Sequence, residues 1–454
     1  MIDGFKEQTF MEKPNIVFLL TDQWRVQALG YAGNHQVRTP NIDQFAAEST
    51  NFTHAIAGWP VCCPWRGSFL TGQYPLTHGI IVNDVPIGSD AIGLGDAFKQ
   101  GGYDTAYIGK WHVDGRGRSN YIPPERRLGF DYFKALECTH DYNHSAYYAG
   151  DSAEKRLWDG YDVFAQTTDA EAYIRQHDDE KPFLLVLSWG PPHNPYETAP
   201  DEYQAMYDAD EIELRPNVPP DMADTARKWI AGYYAHCSAI DDAVGRILRT
   251  IDESGKADHT IVVFASDHGD MLGSQGNERK QRPWEESIRV PFLVRTPQRH
   301  GQQVDAMINA HDIMPTLLGL CGLPVPSTVQ GRDFSPVLTG GGDPSGGAAL
   351  LACFHPFGEW AQANGGREYR GVRTPRYTYT RTLDGPWQLY DNQNDPFQMS
   401  NRVDDPAYAD IRAALEQRLQ QLLAELDDEF LDGMTYINRW GYPLDETGTV
   451  PFTW

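Results

Sequence analysis

Four short apolar runs, Ile16–Leu20, Thr105–Ile108, Phe183–Ser188 and Thr260–Ala265, punctuate the first three quarters of the chain. They lack the apolar/polar alternation of a half-exposed strand and are too short for helices, so they predict strands buried on both faces. Between them, amphipathic stretches over Asn41–Glu48, Gly67–Leu70, Thr225–Asp252 and Ile313–Cys321 predict the covering helices. This alternation predicts an α/β fold, a large mostly parallel sheet sandwiched by helices. Chemistry in such folds gathers where the strands end, and Asp22, Lys110 and Asp267 each lie just past such an end.

The pattern changes after about residue 335. A Gly-rich stretch, Thr339–Gly347, reads as a linker or long turn. Beyond it, Tyr369–Thr374, Tyr377–Thr382 and Trp387–Tyr390 read as a strand meander and Tyr408–Leu426 as one helix covering it. The expected organisation is an N-terminal extension at 1–13, a large α/β domain at 14–340 that carries the chemistry, and a small antiparallel α+β domain at 348–428. An aromatic tail at 429–454 is expected to pack on the main domain.

Charge narrows the partners. With 63 acidic against 38 basic residues the net charge is -25, which argues against nucleic acid or an anionic membrane surface. An anionic substrate would need a local positive well built from a metal, lysines, histidines or a helix end. The run Asn15–Thr21 is too short to span a bilayer and lacks the flanks of a signal peptide. The chain as given therefore reads as cytoplasmic, or as periplasmic or secreted if a leader has been removed. Its six cysteines show no disulfide framework or zinc spacing. Homo-oligomerisation is left open.

The richest stretch is Pro60–Gly72, PVCCPWRGSFLTG, which places Cys62 at the start of a helix. A thiol there feels the positive end of the helix dipole and free backbone N–H groups, which favour an anionic side chain and an anionic ligand. The alternative is a buried structural cysteine pair. DQW at Asp22–Trp24 and SDHGD at Ser266–Asp270 follow strands and can assemble an oxygen-rich site for a hard divalent cation. GKWH at Gly109–His112 and the segment from Arg279 to Pro291 supply Lys110 and Lys280. At ~4 Å and an effective dielectric of ~20, each such cation contributes ~4 kcal/mol to holding a unit negative charge before desolvation. His193, fixed between prolines in PPHNPY, can transfer a proton or bind an anion near neutrality.

These segments together resemble the type I, formylglycine-dependent sulfatases of the alkaline phosphatase-like superfamily. The Cys-x-Pro-x-Arg of Cys62, Pro64 and Arg66 is similar to that family's modification motif, with Trp65 where the family usually carries a small residue. TPNID at Thr39–Asp43, HDIMPTL at His311–Leu317, QGRDFSPVL at Gln330–Leu338 and LYDNQNDP at Leu389–Pro396 extend the resemblance from about Pro14 to Leu426. The resemblance implies that Cys62 becomes formylglycine through a formylglycine-generating enzyme and that its hydrate attacks sulfur, supported by Arg66, Lys110, His112, His193 and Lys280. It implies a metal held by Asp22, Gln23, residue 62, Asp267 and His268, with Ca2+ favoured and Mn2+ or Mg2+ open. His112 resembles the histidine that helps break down the sulfated hydrate.

The expected activity is hydrolysis of a sulfate monoester, with a saccharide as the substrate class because CCP followed by HGIIVN resembles carbohydrate sulfatases. Asn83, Arg116, His140, His144 and His355 are the candidate substrate contacts, joined by Trp59, Asn143 and Trp360. One rival is a phosphonate monoester or phosphodiester hydrolase with the same nucleophile, which Gln23, His268 and the spacing of Asn83 resemble. A rival of another class is a non-catalytic anion-binding protein that keeps Cys62 as a thiol.

Overall fold

Strand β1 (Asn15–Asp22) is buried along its whole length because both of its faces are covered. Ile16, Phe18 and Leu20 enter one hydrophobic cluster and Val17 and Leu19 another, the two-residue period of a strand. The computed structural model describes residues 13–454 other than Ser89 and Asp179, so the extension expected at 1–13 lies, but for Lys13, outside the described residues. Around β1 run β2 (Thr50–Phe52), β3 (Asp104–Lys110), β4 (Tyr132–Leu136), β5 (Ala146–Ala149), β6 (Arg156–Leu157), β7 (Phe183–Pro192), β8 (Thr260–Ser266), β9 (Phe292–Arg295) and β10 (Gln302–Val304). They form one sheet in the order β10-β2-β9-β8-β1-β7-β3-β4-β5-β6. The centre, from β8 to β4, is parallel, and antiparallel pairings appear only toward the two edges.

The helix Ala223–Glu253 buries Ile230, Tyr233, Tyr234, Cys237, Ile240, Val244, Ile247 and Ile251, the three- and four-residue spacing of one helical stripe. It shares its cluster with Asp162–Gln176 on one face of the sheet. Cys62–Thr71, Leu94–Gln100 and Ala310–Leu320 cover the other. Each fully buried Leu or Ile contributes about 1.5–3 kcal/mol, so a core this size sets a firm frame for a buried polar site.

Local departures from expectation have identifiable causes. The amphipathic stretch at Gly67–Leu70 is the second half of a helix that starts at Cys62, as the Cys62 segment implies, with Pro64 in its first turn, where a proline has no N–H bond to lose. Strand β7 continues past Ser188 through Gly190 to Pro192, polar and small residues that do not read as a buried run. Helix Asp162–Gln176 went unpredicted because polar Gln166 and Thr167 stand in its buried stripe between Val163 and Ala170.

After the linker, β11 (Ala349–Cys353), β12 (Tyr369–Arg373), β13 (Tyr377–Thr382) and β14 (Gly385–Asp391) form an antiparallel meander in sequence order. Helix Ala409–Glu425 covers it with Leu415, Leu419, Leu422 and Leu423. The opposite side of the small sheet packs Leu351, Cys353 and Tyr369 against Ile56, Ile288 and Met307, from the part of the chain that builds the large sheet. A buried, two-pronged ion pair reinforces the joint, with Arg373 Nε 2.7 Å and Nη2 3.0 Å from the Glu285 carboxylate. Among the described residues no helix is long and apolar enough to cross a membrane.

Candidate active site

Four adjacent parallel strands deliver polar side chains to one edge of the sheet. Asp22 ends β1, Asp267 follows β8, Lys110 ends β3, and β7 carries Ser188 and leads to His193. All five are buried. Gly109, at φ 105°, lets Lys110 take its place, since a Cβ there would lie 2.1 Å from the Ser188 carbonyl oxygen. The N-terminus of helix Cys62–Thr71 faces this edge. Val61 offers it no side-chain cap, and Asn83 Oδ1 instead accepts the Cys63 N–H at 3.0 Å, so Asn83 fixes the helix end that presents Cys62.

Cys62 Sγ lies 3.1 Å from Lys280 Nζ, 3.9 Å from Lys110 Nζ, 3.2 Å from His268 Nε2 and 3.6 Å from Asp22 Oδ1. Lys110 also holds Asp22 Oδ2 at 2.7 Å. Cys63 turns the other way: its sulfur accepts the Asp84 N–H at 3.4 Å and its thiol is pushed up to about 11 by burial. Trp65 stacks on Phe69 in the core, on a different side from Arg66. Arg66 is the frame of the site. Its Nη2 and Nε each lie 3.2 Å from a carboxylate, Asp22 and Asp267, while Nη1 donates to Lys110 O at 2.9 Å and Ser188 Oγ at 2.8 Å.

His268 Nδ1 lies 3.0 Å from the Gly269 carbonyl and must donate there, so Nε2 is the ring atom that faces Cys62 and both carboxylates; although burial opposes its charge, Asp267 and Cys62 raise the His268 pKa. The ligand atoms of Asp22, Cys62, Asp267 and His268 lie within 4.8 Å of one another. Two carboxylates, an imidazole nitrogen that a cation would take in its deprotonated form, and a helix-end side chain fit a divalent cation. Gln23, at φ 72°, sits beside this group. Its Oε1 accepts Lys280 Nζ at 3.0 Å and its Nε2 donates to Asp270 Oδ2 at 2.7 Å.

Electrostatics follow from this packing. Burial opposes ionisation of Asp22, but Lys110, Lys280 and Arg66 outweigh it and hold the carboxyl well below its usual range. Asp267 shifts up, through burial and the nearby Asp22 charge, against the pull of His268 and Arg66. Burial and Asp22 resist a thiolate at Cys62, yet Lys110, Lys280 and His268 bring it well below the ordinary thiol. Burial, Lys280 and His140 push His193 well below its ordinary value. The neutral ring donates Nδ1–H to Asn194 O at 2.8 Å and keeps a lone pair on Nε2. The local positive well that an anionic chain requires is thus built from Lys110, Lys280, Arg66 and a helix end.

Comparison with known proteins agrees with this arrangement. The Sulfatase family matches residues 14–323, and the family described as N-sulphoglucosamine sulphohydrolase, C-terminal, matches residues 273–425. The chain belongs to the sulfatase family. It is 44% identical to an ulvan-active sulfatase of Formosa agariphila, over 96% of this chain and 86% of that protein. It is 32% identical to an endo-4-O-sulfatase of Bacteroides thetaiotaomicron, over 92% and 93%. The solved structure of the sulfatase yidJ of Bacteroides fragilis superposes with a TM-score of 0.84 at 32% identity, covering 96% of this chain and all of that one. This sulfatase is a sulfuric ester hydrolase of alkaline phosphatase-like fold, and its family implies a formylglycine and a divalent metal.

In this sulfatase the structure gathers Cys62, Arg66, Lys110, Lys280, Asp22, Gln23, Asp267 and His268 at one point, with His193 beside them. His112, at φ 59°, is buried with Nε2 3.5 Å from Asp84 Oδ1, and His140 stacks on His193 at 4.6 Å. Three candidates lie apart from the cluster. Arg116 is half-exposed and bound to Asp114 at 2.7 Å, and His144 is exposed and paired with Asp141 at 3.3 Å. His355 is buried beside Gly433 and Gly448. Sequence reasoning missed Asp84 and Ser188. Asp84 adjoins Asn83 in HGIIVND and Ser188 ends the apolar run of β7, so only the neighbours each would meet were hidden.

Proposed function

We propose that this sulfatase removes sulfate from a sulfated saccharide, using a formylglycine made from Cys62. The observation that carries the reading is the placement of Cys62 Sγ at a helix N-terminus, 3.1 Å from Lys280 Nζ and beside the metal-fitting group of Asp22, Asp267 and His268. Carbohydrate-sulfate names among its relatives support the saccharide. Conversion by a formylglycine-generating enzyme supplies a geminal diol, whose hydroxyl oxygen is placed where the sulfur now stands. A divalent cation held by Asp22, Asp267, His268 and residue 62, with Gln23 alongside, supplies Lewis acidity and charge neutralisation. Calcium is the proposed ion.

The chain's own residues then have distinct work. Arg66 holds both carboxylates and the end of β3, so it positions the metal-binding edge as well as the nucleophile. Lys110 and Lys280 bind sulfate oxygens, and Lys280, whose ammonium is favoured by Cys62 and Asp22 against the cost of burial, donates to the departing oxygen. His193, neutral in the free protein, accepts a hydroxyl hydrogen of the bound alcohol at Nε2 and so orients the leaving group. Although burial opposes its charge, Cys63, Cys138 and Asp84 raise the His112 pKa well above the ordinary imidazole, so it is in its deprotonated form that His112 takes the proton whose loss returns the aldehyde.

A second reading, phosphonate monoester or phosphodiester hydrolysis, rests on Gln23, which lowers the ligand charge, and on His268, which offers a softer nitrogen ligand. The test is turnover by formylglycine-bearing protein on sulfated mono- and oligosaccharides beside phenyl phosphonate monoesters. Sulfate turnover should exceed phosphonate turnover by orders of magnitude in kcat/KM. A faster phosphonate reaction puts the second reading in its place.

A further inference from the structure

The segment that closes the described chain lies at the mouth of the active site. Arg118 donates its backbone N–H to Thr453 O at 2.7 Å, and its own carbonyl accepts from Cys138 N at 3.0 Å, two residues past the end of β4. The segment is thereby laid along the carboxyl edge of the main sheet. Phe452 and Trp454 grip the Arg118 guanidinium, which stands 3.4 Å from the first ring centroid and 5.0 Å from the second. Two bonds, at 2.9 and 2.8 Å, fix the same guanidinium to Asp84, the carboxylate beside His112. The Arg118 charge is therefore already matched.

Trp454 is 64% exposed, an unusual state for so large an apolar ring held in a defined place. Its ring meets His140 edge to face at 5.7 Å, and His140 in turn stacks on His193 at 4.6 Å with 17° between planes. Three rings thus run in a row from solvent to the buried cations around Cys62. A sulfate held by those cations would put its sugar at the level of His193 and His140, with the next sugar of the chain directed toward Trp454.

Resting on the saccharide reading above, we propose that Trp454, braced by Phe452 and Arg118, is a binding site for the sugar unit adjoining the sulfated one. Sugar C–H faces pack well on an indole, and with Arg118 neutralised by Asp84 the contact is apolar rather than ionic. The enzyme then prefers a sulfated disaccharide or longer chain over a lone sulfated monosaccharide, and that preference is insensitive to salt.

The test compares the parent with Trp454→Ala and Trp454→Phe on p-nitrophenyl sulfate and on the sulfated disaccharide that the parent hydrolyses best. The expected result is a KM for the disaccharide raised at least ten-fold by Trp454→Ala at both low and high salt, with kcat held within about two-fold. Trp454→Phe should keep most of the affinity. For p-nitrophenyl sulfate, too short to reach the indole, KM should change less than two-fold, which also reports an intact fold. An unchanged disaccharide KM, or equal losses on both substrates, overturns the inference while leaving sulfate hydrolysis in place. A parent that hydrolyses p-nitrophenyl sulfate but no saccharide sulfate overturns the saccharide reading and this inference together.

Discussion

Lys280 Nζ bridges Cys62 Sγ at 3.1 Å and Gln23 Oε1 at 3.0 Å, so one buried ammonium touches both the nucleophile position and the metal-side amide. Arg279 and Gln281, on either side, have φ of 58° and 74°, a conformation that costs non-glycine residues energy and is kept where surrounding contacts dictate it. Lys280→Ala should lower kcat/KM for a sulfate ester by more than ~10²-fold, the usual effect of losing one donor to developing charge. Lys280→Arg should not restore it, because a planar fork cannot replace a compact ammonium in a buried space. Activity within ten-fold of the parent in Lys280→Ala would remove the lysine from the chemistry.

Cys62 and Cys63 are adjacent yet face different surroundings, the first toward Lys110 and Lys280, the second toward the Asp84 backbone. Cys62→Ala should abolish turnover and Cys63→Ala should largely spare it. Intact-peptide mass supplies an independent readout, because conversion of the CH2–SH to an aldehyde exchanges sulfur for oxygen with loss of two hydrogens and lowers the mass by about 18 Da at residue 62 alone. Equal activity losses in two equally folded variants, or an unmodified Cys62 in fully active protein, would refute the assignment.

The strand ends were legible because β1, β3, β7 and β8 are buried on both faces and therefore read as unbroken apolar runs, each followed by a polar residue. Asp22, Lys110 and Asp267 could be placed at one edge on that basis, and His193 from its PPHNPY segment after the β7 run. The partners of each were not legible. Asn83 was expected to meet substrate, but its oxygen caps the Cys63 N–H, a contact set by the turn through Ile80–Asn83 rather than by any local pattern. Arg116 and Arg118 look alike in DGRGR, and only the fold sends one to solvent and buries the other between Asp84 and two aromatic rings. The same holds for Trp454, whose neighbour His140 is more than three hundred residues away in sequence.

Glu285 and Arg373 tie the chain around the large sheet to the small sheet. Although burial pushes the Glu285 carboxyl up, Arg373 and then Arg289 hold it down to about 2, against an ordinary 4.5. A depressed carboxylate pKa contributes stability that is present above the unfolded value and lost as pH falls through the folded one. The pair should therefore contribute about 3 kcal/mol at neutral pH, an order-of-magnitude figure from the size of the shift. Urea unfolding of the parent and of Glu285→Gln should differ by about that amount at pH 7, and the difference should shrink between about pH 4.5 and 2. A difference that persists unchanged to pH 2 would show that the charge pair is not its source.

Metal binding offers the sharpest separation between a structural and a catalytic cluster. Asp22 and Asp267 are held apart by Arg66 and kept company by Lys110, so the protein alone already neutralises most of their charge. A cation must therefore compete for ligands that are partly satisfied, which makes its affinity sensitive to each one. Asp22→Ala and Asp267→Ala should both lose bound metal by elemental analysis and lose turnover with it. Chelation of the parent should stop sulfate release, and Ca2+ should restore it. His268→Asn replaces the imidazole nitrogen by an amide oxygen, so it should shift the preference further toward Ca2+ over Mn2+ while keeping measurable activity. Full turnover in protein shown to be metal-free would leave the Asp22, Asp267 and His268 cluster without a catalytic role.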